Sequence, residues 1–287
     1  MDLSIIIPSF NTKALLDRCL RSIGESLKNS SLKYEIIVVD NASTDGSIEL
    51  LKTKYTRVIK IFNKTNVGYG KANNQGIRKA VGKHILLLNS DIQALGNAVV
   101  NLYEFAQKYP HAFVGGKLLN EDQSPQASCG PMYTLPVVFL MLFAKGDALG
   151  VTRSSPFDVR VVGWVSGACI IGTKEAFLDV GLFDEGIFMY MEEIEFLYRA
   201  QEKGYTAMFI PDAKFIHSGA ASSGNSRKPI INIYKGLLYF YHKHRSIMEE
   251  RILRAMLSGK AHLALFFGRL TGRKSLVTIY EQALRMV

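Results

Sequence analysis

Tyr34-Glu35-Ile36-Ile37-Val38-Val39-Asp40-Asn41-Ala42-Ser43-Thr44-Asp45-Gly46 decides the fold. The β-branched run over 34–39 reads as a buried strand that stops at Asp40. A loop of Asn, Ser, Thr, Asp and Gly follows, then a short helix to about Thr53. Upstream, 3–8 reads as another strand. Leu16, Cys19, Leu20, Ile23 and Leu27 then recur at helical spacing over 14–28, with Asn11 or Thr12 placed to cap. Downstream, 57–62 and 84–88 predict strands and 69–80 a helix. Such alternation argues for an α/β chain with a mostly parallel sheet and right-handed crossovers. Ligands of these sheets bind outside the carboxyl ends of the strands. Polar residues gather there: Ser9 and Asn11, Asp40 and Asn41, Asn63 and Asn66, Asn89 and Asp91. The pattern predicts a binding site.

The rest of the chain is less regular. The apolar run 131–143 is shorter than the roughly 18–20 residues that span a bilayer. The stretch 164–171 predicts a buried strand, 191–203 a helix ended by Gly204, and 206–210 a strand ended by Pro211. The stretch 219–226, rich in Gly and Ser, predicts a loop. With 287 residues, 48% hydrophobic and 21% charged, the chain suits one large α/β unit with a substantial core. Its opening, Met1-Asp2-Leu3-Ser4-Ile5-Ile6-Ile7-Pro8, reads as a strand and not as a signal peptide. Three widely spaced cysteines, Cys19, Cys129 and Cys169, argue against a disulfide framework or a zinc site and fit a cytoplasmic setting.

Several constellations suggest chemistry. Asp40 at a strand end suits a nucleobase imide or a ribose hydroxyl, although a turn-capping Asp reads equally well. Leu88-Asn89-Ser90-Asp91 brings oxygen ligands to the sheet edge, as a hard divalent cation shared with substrate phosphates requires. Asn66-Val67-Gly68-Tyr69-Gly70-Lys71-Ala72-Asn73 opens a helix whose free N–H groups would suit a phosphate or ribose. Glu192, Glu193 and Glu195 crowd the start of another helix. A carboxylate whose pKa is raised there can act as general base, while a solvated acidic first turn is the plainer reading. His217, at a strand end, gains meaning only if it faces Asp91.

Together these segments resemble the inverting family 2 glycosyltransferases of the GT-A fold, especially their bacterial rhamnosyltransferase-like branch. The resemblance rests on Ile6-Ile7-Pro8-Ser9-Phe10-Asn11, Val38-Val39-Asp40-Asn41-Ala42-Ser43-Thr44-Asp45-Gly46, Asn66-Val67-Gly68 and Leu88-Asn89-Ser90-Asp91, in order. It continues through Trp164-Val165-Ser166-Gly167-Ala168, Val180-Gly181-Leu182-Phe183-Asp184-Glu185, Phe188-Met189-Tyr190-Met191-Glu192-Glu193 and His217, and covers roughly residues 1–225. It implies a Rossmann-like sheet flanked by helices, with a nucleotide-sugar half over 1–110 and an acceptor half over 111–226. It implies nucleotide contacts from Pro8, Ser9, Asn11, Asp40, Asn41, Asn66, Gly68, Lys71, Asn73, Asn89 and Ser90. Asp91 and His217 would hold Mg²⁺ or Mn²⁺, and Trp164, Gly167 and Tyr190 would meet the acceptor. Glu193 would deprotonate the acceptor hydroxyl. Where the family usually has Glu-Asp, this chain has Glu192-Glu193, and the later Asp is Glu195. The extra methylene implies a shifted acceptor, Glu192 as the base, or a weakened enzyme.

Residues 227–287 carry 12 Lys+Arg against 3 Asp+Glu, whereas the first 226 carry 23 against 22. Almost all of the net charge of +10 therefore lies in this tail. Its basic and aromatic helical patterns suit either a helix lying on an anionic membrane surface or one packed on the protein itself. A nucleic-acid partner is not expected, because the tail has no recognition motif. The expected donor is a dTDP- or UDP-linked sugar, with dTDP-rhamnose first. The expected acceptor is a glycan or a lipid-diphosphate-linked precursor of the cell surface, met on the inner face of the plasma membrane. A catalytically decayed nucleotide-binding or scaffolding protein is the rival reading, and the oligomeric state stays open.

Overall fold

A computed structural model describes residues 1–219 and 228–287. The Gly/Ser-rich stretch expected to form a loop lies outside them, apart from Gly219. The first half runs β1 (Leu3–Ser9), α1 (Lys13–Leu27), β2 (Tyr34–Asp40), α2 (Ser47–Thr53), β3 (Ile59–Phe62), α3 (Tyr69–Lys79), β4 (His84–Leu88), β5 (Ile92–Ala94) and α4 (Ala98–Lys108). Next come β6 (Ala112–Leu119), β7 (Pro125–Gln126), β8 (Cys129–Gly130), α5 (Leu135–Phe143), β9 (Arg160–Val162), β10 (Trp164–Val165), β11 (Cys169–Thr173), α6 (Lys174–Val180), α7 (Glu192–Glu202) and β12 (Thr206–His217). Three helices follow: α8 (Lys228–His244), α9 (Ile247–Leu270) and α10 (Lys274–Leu284).

The main sheet has the order β3-β2-β1-β4-β11-β6-β12-β5. β1 pairs in parallel with β2 and β4, and β2 with β3. Strict alternation along β1 explains its two-sided burial. Ile5 and Ile7 enter the core under α1, while Ile6 enters the core under α3. β11 runs antiparallel to β4 and to β6, and β12 returns parallel to β6. One sheet therefore spans both halves of the sequence.

Three details differ from the sequence reading. The stretch 164–171 is two strands in different sheets, because Ser166–Ala168 makes a turn closed by Cys169 N–H donating to Ser166 O. β12 does not end at Pro211. A register shift between Ile210 and Lys214 absorbs the missing donor, and pairing resumes to His217. Thr12 occupies the N-cap position of α1 but makes no capping bond; its hydroxyl goes to Ser90 Oγ at 2.8 Å.

The C-terminal helices belong to the main core. Tyr234, Leu237, Phe240 and Tyr241 of α8 are buried, as are Leu253, Leu257, Ala261 and Leu265, an i,i+4 stripe on α9. A capping box of Ser246 and Glu249 starts α9. No helix among the described residues is long and apolar enough to cross a membrane.

Candidate active site

Strand direction puts the polar residues on one edge. β1, β2, β4, β6 and β12 all end there, and antiparallel β11 starts there. Cys169 pairs with Leu88, and Asn89 N–H donates to Ala168 O at 3.1 Å. A cleft of about 610 Å³ opens along this edge. Pro8, Ser9, Asn41, Asn66, Asn89, Ser90, Asp91, Trp164, Gly167, Tyr190, Glu192, Glu193 and His217 all line it.

Asp91 and His217 do face each other, with His217 Nε2 3.5 Å from Asp91 Oδ1. Gln126 sets the ring's orientation. Its amide nitrogen donates to Asn120 Oδ1 at 3.0 Å and His217 O at 3.2 Å, which turns Gln126 Oε1 toward His217 Nδ1 at 2.7 Å. Nδ1 therefore carries the proton, and burial keeps the imidazole pKa below its ordinary value although Asp91 pulls the other way. A neutral ring then presents the Nε2 lone pair to a carboxylate, softened by the Asn89 amide at 3.4 Å. Two facing lone-pair donors fit a cation between them, with the outer nitrogen held as metal-ligating histidines require. Among the described residues no group of three His, Cys, Asp or Glu forms a closed metal cage. The donor set suits Mg²⁺ or Mn²⁺ completed by water and substrate phosphate.

The other wall is built from a strained loop. Tyr190 and Met191 adopt φ of 67° and 75°, left-handed values that cost about 1–2 kcal/mol each for side chains of this kind. The loop is held between two helices. On one side Tyr69 N–H donates to Phe188 O at 3.1 Å, and a Cβ on Gly68 would stand 2.6 Å from that oxygen. On the other side Gly236 of α8 faces Met191, where a Cβ would meet Met191 Cγ at 2.6 Å. The resulting turn launches α7 with Glu192 buried and Glu193 at the cleft wall, where the place of a Cβ on Gly167 lies 3.5 Å from Glu193 Cβ.

Burial raises the pKa of both glutamates. That of Glu192 goes well above its ordinary value, with the charge of Glu193 adding to the rise. Glu193 rises too, but the Arg153 guanidinium opposes the change. The two carboxyls titrate as a coupled pair, and both hold a proton more readily than a free glutamate. Glu195 faces the other way. It is fully buried and accepts from Arg199, from Lys243 at 2.8 Å and from His244 at 3.0 Å. Although burial raises its pKa, those partners win and hold it below the usual range.

Five expected nucleotide contacts are not on the cleft wall. Asn11 stitches two loops together: its N–H donates to Ser43 Oγ at 2.9 Å, and Thr44 N–H donates to its Oδ1 at 2.7 Å. Asp40 lies just behind the wall. Its Oδ1 accepts from Ser43 N–H, while its buried Oδ2 has no partner among the described residues. Gly68 and the start of α3 close against Phe188, so the expected free N–H groups are partly taken. Lys71 pairs with Glu185 at 3.5 Å, and Asn73 is buried with its amide on Tyr69 O. Helix periodicity reported where α3 begins and could not report what lay across from it. The sequence reading also missed Gln126, Tyr133 and Arg153, which line the cleft from irregular segments with no periodic signal.

Comparison with known proteins agrees with this geometry. The family model "Glycosyl transferase family 2" matches residues 4–127. An N-acetylglucosaminyl-diphospho-decaprenol L-rhamnosyltransferase of Mycobacterium tuberculosis is 27% identical over 242 residues, which is 77% of this chain and 78% of that protein. A mannosyltransferase from Pyrobaculum calidifontis, solved with GDP-Man and Mn²⁺, has a TM-score of 0.59 at 15% identity, covering 98% of this chain and 84% of that one. GalNAc-T7, solved with UDP, GalNAc and Mn²⁺, has a TM-score of 0.58 at 18% identity, over 84% of this chain and 50% of that one. At these identities the solved structures speak for the fold.

Proposed function

We propose that the chain is a family 2 glycosyltransferase of the GT-A fold, an inverting, metal-dependent enzyme that moves rhamnose from dTDP-rhamnose to a lipid-diphosphate-linked glycan precursor. The observation that carries this reading is the shared cleft. It brings together the facing pair Asp91–His217, which suits a cation, and the neighbouring carboxyls of buried Glu192 and half-buried Glu193. The rhamnosyl donor and the lipid-linked acceptor are supported by the mycobacterial relative.

The nucleotide end of the cleft is formed by Pro8, Ser9, Asn41 and Asn66, with the orphaned Asp40 oxygen behind them. Asp91 and His217 would hold Mg²⁺ or Mn²⁺, which neutralises charge on the departing diphosphate. Glu193 takes the proton from the acceptor hydroxyl as that oxygen attacks the anomeric carbon, and the bond to the nucleoside diphosphate breaks on the opposite face. Glu192 stands beside it, its proton held more tightly than in a free glutamate by burial and by the charge of Glu193. Trp164, Gly167 and Tyr190 shape the acceptor side. Work at the cytoplasmic membrane face is supported by α9, where Phe266, Phe267 and Leu270 are 62%, 56% and 73% exposed beside Arg269.

Thermal shift with dTDP, UDP, GDP and CDP, with and without Mn²⁺, tests the site. One nucleotide should stabilise the protein by about 2.7 kcal/mol at 100 times its Kd. Asp91→Ala should remove the metal-dependent part of that shift. Absence of any shift would favour the decayed-site reading. Phe266→Ser with Phe267→Ser should weaken co-sedimentation with anionic vesicles while leaving transfer to a soluble acceptor unchanged; unchanged sedimentation would rule out this face.

A further inference from the structure

Arg153 is the only Lys or Arg among the described residues lining the cleft. Its guanidinium carbon lies over the Trp164 ring, 5.4 Å from the centre, a cation–π contact. It makes no ion pair among the described residues, and its buried Nε has no hydrogen-bond partner there. The backbone on either side is tied down. Ser154 N–H donates to Cys129 O at 2.8 Å, and Thr152 N–H donates to Gly146 O at 3.3 Å. A rigid, half-buried guanidinium with open donors, in a cleft otherwise lined by Asp91, Asp147, Glu192 and Glu193, has its partner still to come.

Two anions enter this cleft under the proposed function: the diphosphate of the donor and that of the acceptor. The donor's belongs with Asp91 and His217 at the strand ends. Arg153 sits instead against Trp164, on the wall where Tyr133, Met141 of α5 and Ile233 of α8 add apolar surface. Its charge is felt by Tyr133 and by Glu193, the proposed base, as well as by His217. We propose that Arg153 is a binding residue for a phosphate of the acceptor, holding a sugar diphosphate so that its hydroxyl meets Glu193 while the lipid chain follows the Tyr133–Met141–Ile233 wall. This assignment rests on the glycosyltransferase reading above and adds to it the chemistry by which the acceptor is chosen.

The test compares the full chain with Arg153→Gln and Arg153→Lys on two acceptors. One is N-acetylglucosamine on a short isoprenoid through a diphosphate; the other is the same sugar as a neutral alkyl glycoside of equal length. Arg153→Gln should raise KM for the diphosphate acceptor by about 10- to 100-fold, the value of charge-assisted hydrogen bonds, and change the glycoside KM by less than about twofold. Arg153→Lys should recover part of the loss. Calorimetric Kd for dTDP with Mn²⁺ should stay the same. An equal loss on both acceptors overturns the proposal, as does a weakened dTDP Kd, which would assign Arg153 to the donor. If the wild type transfers to neither acceptor, the functional reading fails separately. Calorimetric binding of the diphosphate acceptor then decides alone: retention by wild type with loss in Arg153→Gln supports the assignment, and equal binding, or none, overturns it.

Discussion

The first turn of α7 presents two faces, and the same side chain leads a different life on each. On the cleft face Glu192 and Glu193 are sunk in apolar surroundings with one distant cation between them, and both protonate more readily than a free glutamate. On the back face, two residues after Glu193, Glu195 is fully buried but clasped by Arg199, Lys243 and His244, and it protonates less readily. Burial alone raises a carboxyl pKa; a full set of donors reverses the sign. The face proposed to carry the chemistry is thus the one left unsatisfied, and the satisfied face ties α7 to α8.

The largest expected effect tests the cleft face. Glu193→Gln keeps the shape and removes the proposed base, so kcat should fall by about 10²- to 10⁴-fold with dTDP binding retained. If Glu192→Gln produces that loss instead, the two roles are exchanged. The back face comes next. Glu195→Ala strips Lys243 and His244 of a buried partner and should cost about 3 kcal/mol, at the lower end for such pairs because Lys243 and Arg199 keep some water. Chemical denaturation would measure it, and a loss near zero would make the clasp ornamental. The smallest effect concerns pH. A carboxyl whose folded pKa is raised makes the fold lose stability as pH climbs from its ordinary value, 4.5, through the raised one. Glu195, with its pKa lowered, contributes stability above its ordinary value and loses it as pH falls through the folded one. Glu192→Gln should therefore flatten the decline of Tm that sets in as pH climbs above 4.5 and leave the limb below it unchanged. A wild-type curve without that decline would show Glu192 to be solvated.

The same contrast explains what could be read from the sequence. The carboxyl-edge site was legible because strand periodicity and strand-end polarity are local. Asp91, His217, Asn41 and Ser9 meet where parallel pairing requires. Glu193 was legible through its motif. Glu195 looked like a third member of an acidic turn, because its partners lie 48 and 49 residues further along on α8. Arg153 escaped for a similar reason: its position depends on backbone bonds to Cys129 and on an aromatic ring of β10. The tail's basic residues suited a membrane surface and a face packed on the protein alike, and Lys243 and His244 take the second course, as partners of a buried carboxylate. A one-dimensional charge count does not distinguish a cation facing water from one facing Glu195.

Gly236 has a consequence for the order in which the enzyme becomes competent during synthesis. Every strand that shapes the nucleotide end precedes α8 in the chain, so a nascent polypeptide can complete that end while α8 is still being made. The turn through Tyr190 and Met191 gains its second brace only when Gly236 arrives beneath it. Until then the turn that launches α7 rests on its Tyr69–Phe188 bond alone. Emergence of α8, ahead of α9 and α10, therefore completes the Glu192–Glu193 wall after the strand-end side of the cleft is already in place.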